Sequence, residues 1–181
     1  MTKKLVLILS AFFLMVLLVS CGSRDDRSDS SNKAVPKTEV DRPVNNPGVI
    51  HFVVSDIDGK PHRSQEWLGK QPVVINFWGT WCPPCRMEMP DMVRLYEEYS
   101  SKGVEILGIA VKDNAANVRR FAAEYKMNWV MLMGDNQVLI DYNAIQGIPT
   151  TIFLDRTGRE VGRYIGMRSY EDLKKGFESI L

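Results

Sequence analysis

Hydrophobic and polar positions divide the chain into three stretches of unlike character. Leu5 to Val19 is apolar apart from Ser10 and follows Lys3 and Lys4. At roughly 15 residues it is short for a spanning helix, which needs about 20, and it suits the hydrophobic region of an export signal. From Gly22 to Pro47 the pattern disappears: Arg24 to Asn32 contains no apolar residue, and Pro36, Pro43 and Pro47 follow. With no face to bury, this segment reads as a disordered tether with an r.m.s. span on the order of 30 Å.

Regular patterning begins near Gly48 and continues to Leu181, a stretch of ordinary single-domain length. Ile50 to Ile57 alternates, Asp58-Gly59 signals a turn, and Lys60 to Arg63 completes a predicted hairpin. Val73 to Trp78 is apolar at nearly every position and reads as a central strand buried on both faces. A helix is predicted from Cys82 towards Ser101, with Met92, Val93, Leu95, Tyr96 and Tyr99 on its buried side. Next come a strand at Val104 to Val111, a helix at Asn114 to Lys126, a strand at Trp129 to Met133 and a short helix at Val138 to Tyr142. Strands at Thr150 to Leu154 and Glu160 to Ile165 flank a turn, and Ser169 with Asp172 opens the last helix in a capping-box pattern. Strands alternating with helices and ending in a hairpin indicate an α/β fold, a mixed sheet flanked by helices.

The chemistry concentrates where the central strand gives way to the first helix, at Trp81-Cys82-Pro83-Pro84-Cys85. A helix start stabilises a thiolate, the species that attacks disulfides, so the spacing and its context point to a redox centre. The third cysteine belongs to another signal: Leu18-Val19-Ser20-Cys21 resembles the bacterial lipobox, in which the cysteine is lipidated and becomes the mature N-terminus. That predicts a leader over residues 1–20, a lipid-anchored tether over 21–47 and one folded domain over 48–181. Losing Lys3 and Lys4 from the 23 basic residues leaves 21 against 22 acidic ones, a net of −1 that offers no footprint for nucleic acid. A purely structural bridge is the plainer reading of Cys82 and Cys85, but a loop this short constrains the unfolded chain little. A zinc site would need two more ligands, and His51 and His62, the only histidines, lack zinc-site spacing.

The run Val74-Ile75-Asn76-Phe77-Trp78-Gly79-Thr80-Trp81-Cys82-Pro83-Pro84-Cys85-Arg86-Met87-Glu88-Met89-Pro90 resembles the active-site segment of the TlpA/ResA-like branch of the thioredoxin superfamily. Gly147-Ile148-Pro149-Thr150-Thr151 is similar to that fold's second landmark, a loop carrying a cis-proline. The resemblance covers Val49 to Leu181 and implies a thioredoxin-like fold with an N-terminal hairpin and a strand–helix insert. It implies a membrane-tethered, extracytoplasmic thiol-disulfide oxidoreductase that needs no cofactor. Its partners would be disulfide-bearing proteins, apocytochrome c among them, and a membrane-embedded thiol carrier as electron donor. Cys82 would be the exposed nucleophile and Cys85 the more buried resolving thiol. Trp81, Pro83, Pro84, Ile148 and Pro149 would meet the substrate, with Ile148 pairing to an extended segment through its backbone.

Glu88 lies three residues after Cys85 and so on the same helix face. Spacing alone leaves two readings open: a desolvated proton carrier beside the thiols, or a solvent-facing acid near a helix start. The resemblance favours the first, since the family has an active-site glutamate here. Thioredoxin's buried Asp is replaced by Asn76, which cannot titrate. The lack of histidine between the cysteines leans towards a reductase over an oxidant or isomerase. A copper chaperone would want a downstream histidine, and a peroxidase a Pro-x-x-x-Thr-x-x-Cys segment; neither is present. Replacing Cys21 with Ala is expected to abolish lipid labelling and membrane retention, and unchanged labelling would refute the lipoprotein assignment.

Overall fold

A computed structural model describes residues 48–181. The leader, Cys21 and the tether over 21–47 lie outside the described residues. Seven strands form one mixed sheet: β1 (Val53–Asp56), β2 (Pro61–Arg63), β3 (Val73–Trp78), β4 (Glu105–Val111), β5 (Val130–Gly134), β6 (Thr150–Leu154) and β7 (Glu160–Ile165), in the order β2-β1-β5-β4-β3-β6-β7. Among the described residues four α-helices accompany it: α1 (Pro83–Tyr99), α2 (Ala115–Tyr125), α3 (Asn136–Asp141) and α4 (Tyr170–Glu178). The expected α/β architecture is present, and the expected elements are found within a residue or two of their bounds, except that β1 starts at Val53, three residues after Ile50.

Every residue of β3 is buried, because β3 has strands on both edges and helices over both faces. It runs parallel to β4 and antiparallel to β6, pairing Trp78 with Ala110 and Phe77 with Thr150. Strand alternation then splits the core into two layers. Val74, Trp78, Ile106, Ala110 and Phe153 face α1, α2 and α4. Val73, Ile75, Phe77, Leu107 and Ile109 face α3 and the N-terminal segment around Val49 and Phe52.

The hairpin β1–β2 is held by His62, whose ring nitrogens lie 3.0 Å from Asp56 Oδ2 and 2.9 Å from Glu66 Oε2. Burial works to lower the His62 pKa, but hydrogen bonds to Glu66 and Asp56 outweigh it and raise the value. His51 sits 3.1 Å from Ser64 Oγ through Nδ1. Both histidines considered as metal ligands are thus engaged in holding the N-terminal segment.

On the opposite edge, α4 packs so closely that Gly176 rests on the Phe153 ring. A methyl group there overlaps a side chain that is itself fully buried. Ala gains about 1 kcal/mol over Gly in helix propensity, against roughly 1–3 kcal/mol for overpacking. Gly176→Ala is therefore expected to lower the thermal midpoint despite the better helix former, as differential scanning calorimetry would show.

Candidate active site

The end of β3 and the first turn of α1 form the site. Gly79 leaves β3 beneath the Trp81 indole, with no room for a side chain: a Cβ would lie 2.8 Å from Trp81 Nε1. The turn is fastened to the end of β4 by two hydrogen bonds. Trp81 Nε1 donates to the Val111 carbonyl at 3.1 Å, and the Thr80 N–H donates to Asp113 Oδ2 at 2.7 Å. Cys82 then caps α1, and its sulfur accepts the Cys85 N–H at 3.3 Å. Pro83 and Pro84 follow at the first two helical positions, where a fixed φ suits the helix and a missing N–H removes nothing the helix needs. Helix α1 continues through Pro90 to Tyr99.

Cys82 and Cys85 are joined by a disulfide, their Cα atoms 5.3 Å apart. Both are buried, Cys82 at 3% and Cys85 at 1% exposure, so the expectation of an exposed Cys82 needs correction. The bond to Cys85 and the distant Ile148 loop account for it. Bonded to Cys85, Cys82 belongs to the buried cluster that includes Trp78 and Met89, with Ile148 packed against that cluster, and its sulfur lies 3.7 Å from the Ile148 carbonyl oxygen. Access to the pair is through a groove of about 350 Å³ beside Cys82.

Trp81, Pro83, Pro84 and Ile148, all expected at the substrate surface, line that groove together with Cys82. Trp81 is 53% exposed. Pro149 is cis, as the resemblance implied, but it is not among the lining residues; its carbonyl accepts the Gly166 N–H at 2.7 Å. The Ile148 carbonyl thus reaches the sulfur while the Pro149 carbonyl is engaged on the far side.

Glu88 is buried, 3% exposed, on the same stripe of α1 as Cys85, Met89 and Met92. That settles the choice left open by its spacing in favour of a desolvated carboxyl. Its Oε2 accepts the Arg168 N–H at 2.9 Å. Burial raises its pKa to about 7; the Arg168 N–H and charge oppose the rise, and Asp91 adds to it. A carboxyl of this acidity can hold or release a proton at neutral pH. Asn76 is also buried, and its amide donates to Thr151 Oγ1 at 3.0 Å across the β3–β6 pair. It is a neutral, hydrogen-bonded tie between the two strands that frame the site.

With this geometry in place, comparison with known proteins is decisive. The model of the AhpC/TSA family matches residues 47–159. The thiol-disulfide oxidoreductase ResA of Geobacillus thermodenitrificans is 37% identical over 129 residues, 71% of this chain and 74% of that protein. The chain belongs to the ResA-like thiol-disulfide oxidoreductases. The ResA of Bacillus anthracis is 36% identical over 124 residues, covering 68% of this chain and 71% of its own. Among solved structures, a thioredoxin-family thiol:disulfide interchange protein from Chlorobium tepidum superposes with a TM-score of 0.65 at 31% identity, covering 78% of this chain and 99% of its own.

Several supports of this ResA-like site were not among the residues expected from sequence. Val111 and Asp113 hold the turn before Cys82, and the Gly166–Arg168 turn holds both Pro149 and Glu88. Leu139, Ala144 and Ile145 form part of the groove wall, and Lys112 reaches it from the end of β4. Two signals were available in the chain: Glu88 shares the helical stripe of Cys85, Met92 and Tyr99, and Gly166 falls between a strand and a helix cap.

The pKa of Glu88 carries a stability consequence with a definite sign. Between about pH 4.5, where an ordinary Glu ionises, and about 7, the folded protein retains a proton that the unfolded chain has lost. Stability from this group therefore falls as pH rises through that window, by on the order of 3 kcal/mol in total. Glu88→Gln is expected to remove the decline, so that its advantage over the parent grows from pH 5 to pH 8 in urea unfolding. A constant difference across that range would contradict the buried-carboxyl account.

Proposed function

We propose that this oxidoreductase works as a reductase of protein disulfides outside the cytoplasm, tethered to a membrane through a lipid on Cys21. The observation that carries the direction is the setting of the Cys82 sulfur. It is buried among apolar side chains, it accepts the Cys85 N–H at 3.3 Å, and the two residues between the cysteines are prolines without N–H groups. A thiolate so placed receives modest stabilisation, and a couple whose dithiol form is poorly stabilised is reducing. Glu88 points the same way, since a nearby carboxyl raises rather than lowers the cost of a thiolate.

In the proposed cycle the Cys82 thiolate attacks one sulfur of the substrate disulfide, forms a mixed disulfide and expels the other substrate sulfur as a thiolate. Glu88 accepts the proton of Cys85. The Cys85 thiolate then attacks Cys82 Sγ, closes the intramolecular disulfide and releases the second substrate thiolate. The substrate gains two electrons and the protein loses two. Return to the dithiol requires a thiol donor, for which a membrane-embedded carrier is the natural class given the tether. An apocytochrome c with its paired cysteines is the leading substrate, by resemblance to the family.

Equilibration of the Cys82–Cys85 couple with dithiothreitol or glutathione buffers tests the direction. The expected midpoint lies well below the isomerase value of about −180 mV, near or below the thioredoxin value of about −270 mV. A midpoint near about −120 mV would identify an oxidant and refute the reductase assignment.

A further inference from the structure

The residue that ends β4 at the active site has an unusual backbone. Lys112 has φ of 50°, in the left-handed region that a non-glycine residue seldom occupies and that is retained where the surroundings fix it. Here they do. Its neighbours on both sides are bonded to the turn before Cys82, Val111 through its carbonyl to the Trp81 indole and Asp113 through its carboxylate to the Thr80 N–H. The Lys112 backbone is thereby clamped beside the reactive pair, and its exposed side chain lines the groove next to Cys82.

That groove is otherwise apolar. Leu139, Ile145, Trp81 and Pro84 line it, with Ile145 64% and Trp81 53% exposed. Lys112 is its only charged lining residue. A wall of exposed aliphatic and aromatic surface at a reactive centre is suited to an apolar side chain of a partner, and one cation at the rim adds a charge criterion. Asp113, the nearest acid in sequence, already accepts from the Thr80 and Asn114 N–H groups.

Resting on the reading of this site as one that reduces protein disulfides, we propose that Lys112 is a specificity-determining residue. It selects extended segments that carry an apolar side chain beside the disulfide cysteine and an acidic side chain within one or two positions of it. The apolar residue enters the groove between Trp81 and Ile145, and the carboxylate meets the Lys112 ammonium at its rim. The exchange itself is unchanged: the Cys82 thiolate joins one peptide sulfur and the other leaves as a thiolate.

The test uses the reduced protein and synthetic peptides with an internal disulfide, a Leu beside one cysteine, and Asp, Ser or Lys at the flanking positions. Each rate of peptide thiol release is divided by the same variant's rate with a small uncharged aliphatic disulfide. The expected order is Asp over Ser over Lys, each step about threefold, the scale of one exposed ion pair. The order should flatten as salt approaches about 1 M, where screening acts within ~3 Å. Lys112→Asn removes the charge with a residue that tolerates left-handed backbone, and it should bring the normalised rates together. Lys112→Glu should invert them. Equal normalised rates in the parent, or ratios untouched by either variant, would overturn the proposal while leaving the reductase reading intact. Failure of every peptide to react, beside normal reaction of the small disulfide, would overturn both.

Discussion

The site depends on β3 being enclosed on all sides. A strand with every residue buried cannot shift register by one residue without moving each side chain into the opposite packed layer and leaving backbone groups unpaired at its ends, so the position of Trp78 is fixed by the whole sheet. From there the chain has only Gly79, Thr80 and Trp81 before α1 begins at the cap Cys82. The neighbours of β3 also supply the rest of the site. Parallel β4 ends beside it and delivers Val111 to Asp113, while antiparallel β6 begins beside it and delivers the Ile148–Pro149 loop. One parallel and one antiparallel partner are what bring a strand end, a strand start and a helix start to the same sulfur.

Two opposed electrostatic settings meet in α1. The helix start favours negative charge at Cys82, whereas burial disfavours it at Glu88, nearly two turns deeper. These effects do not cancel, because they act on different groups. The helix therefore carries the cysteine pair at its start and, behind it, a buried carboxyl that titrates near neutral pH. Asn76 lacks this capacity and bonds to Thr151 instead, so the sheet beneath the cysteines contributes rigidity and no titrating group.

The fold was legible because its strands are either continuous apolar runs or clear alternations, and three of its helices start at residues read as their beginnings, Cys82, Asn114 and Ser169; the cap Asp135 was not, and that helix was placed two residues late. The cysteine pair was legible for the same reason, lying at the junction of a buried strand and a proline-led helix. What sequence left open was settled by distance along the chain. The burial of Glu88 depends in part on Arg168, 80 residues away, and the hold on Thr80 depends on Asp113, 33 residues away. No local pattern marks such pairings, because topology creates them. The buried state of Cys82 was missed on the same ground: the Ile148 loop that covers it lies 66 residues downstream.

The Gly166–Arg168 turn shows how far this sharing extends. Its first N–H is given to the Pro149 carbonyl and its last to the Glu88 carboxyl. Gly166 reaches this arrangement with φ of 80°, and Arg168 is further anchored by its guanidinium, 5.4 Å from the centre of the Tyr164 ring. The buried Glu88 carboxyl and the loop that borders the Cys82 sulfur therefore rest on one three-residue support. Two backbone donors that no side-chain motif encodes thus tie the Glu88 carboxyl and the Pro149 carbonyl to one turn.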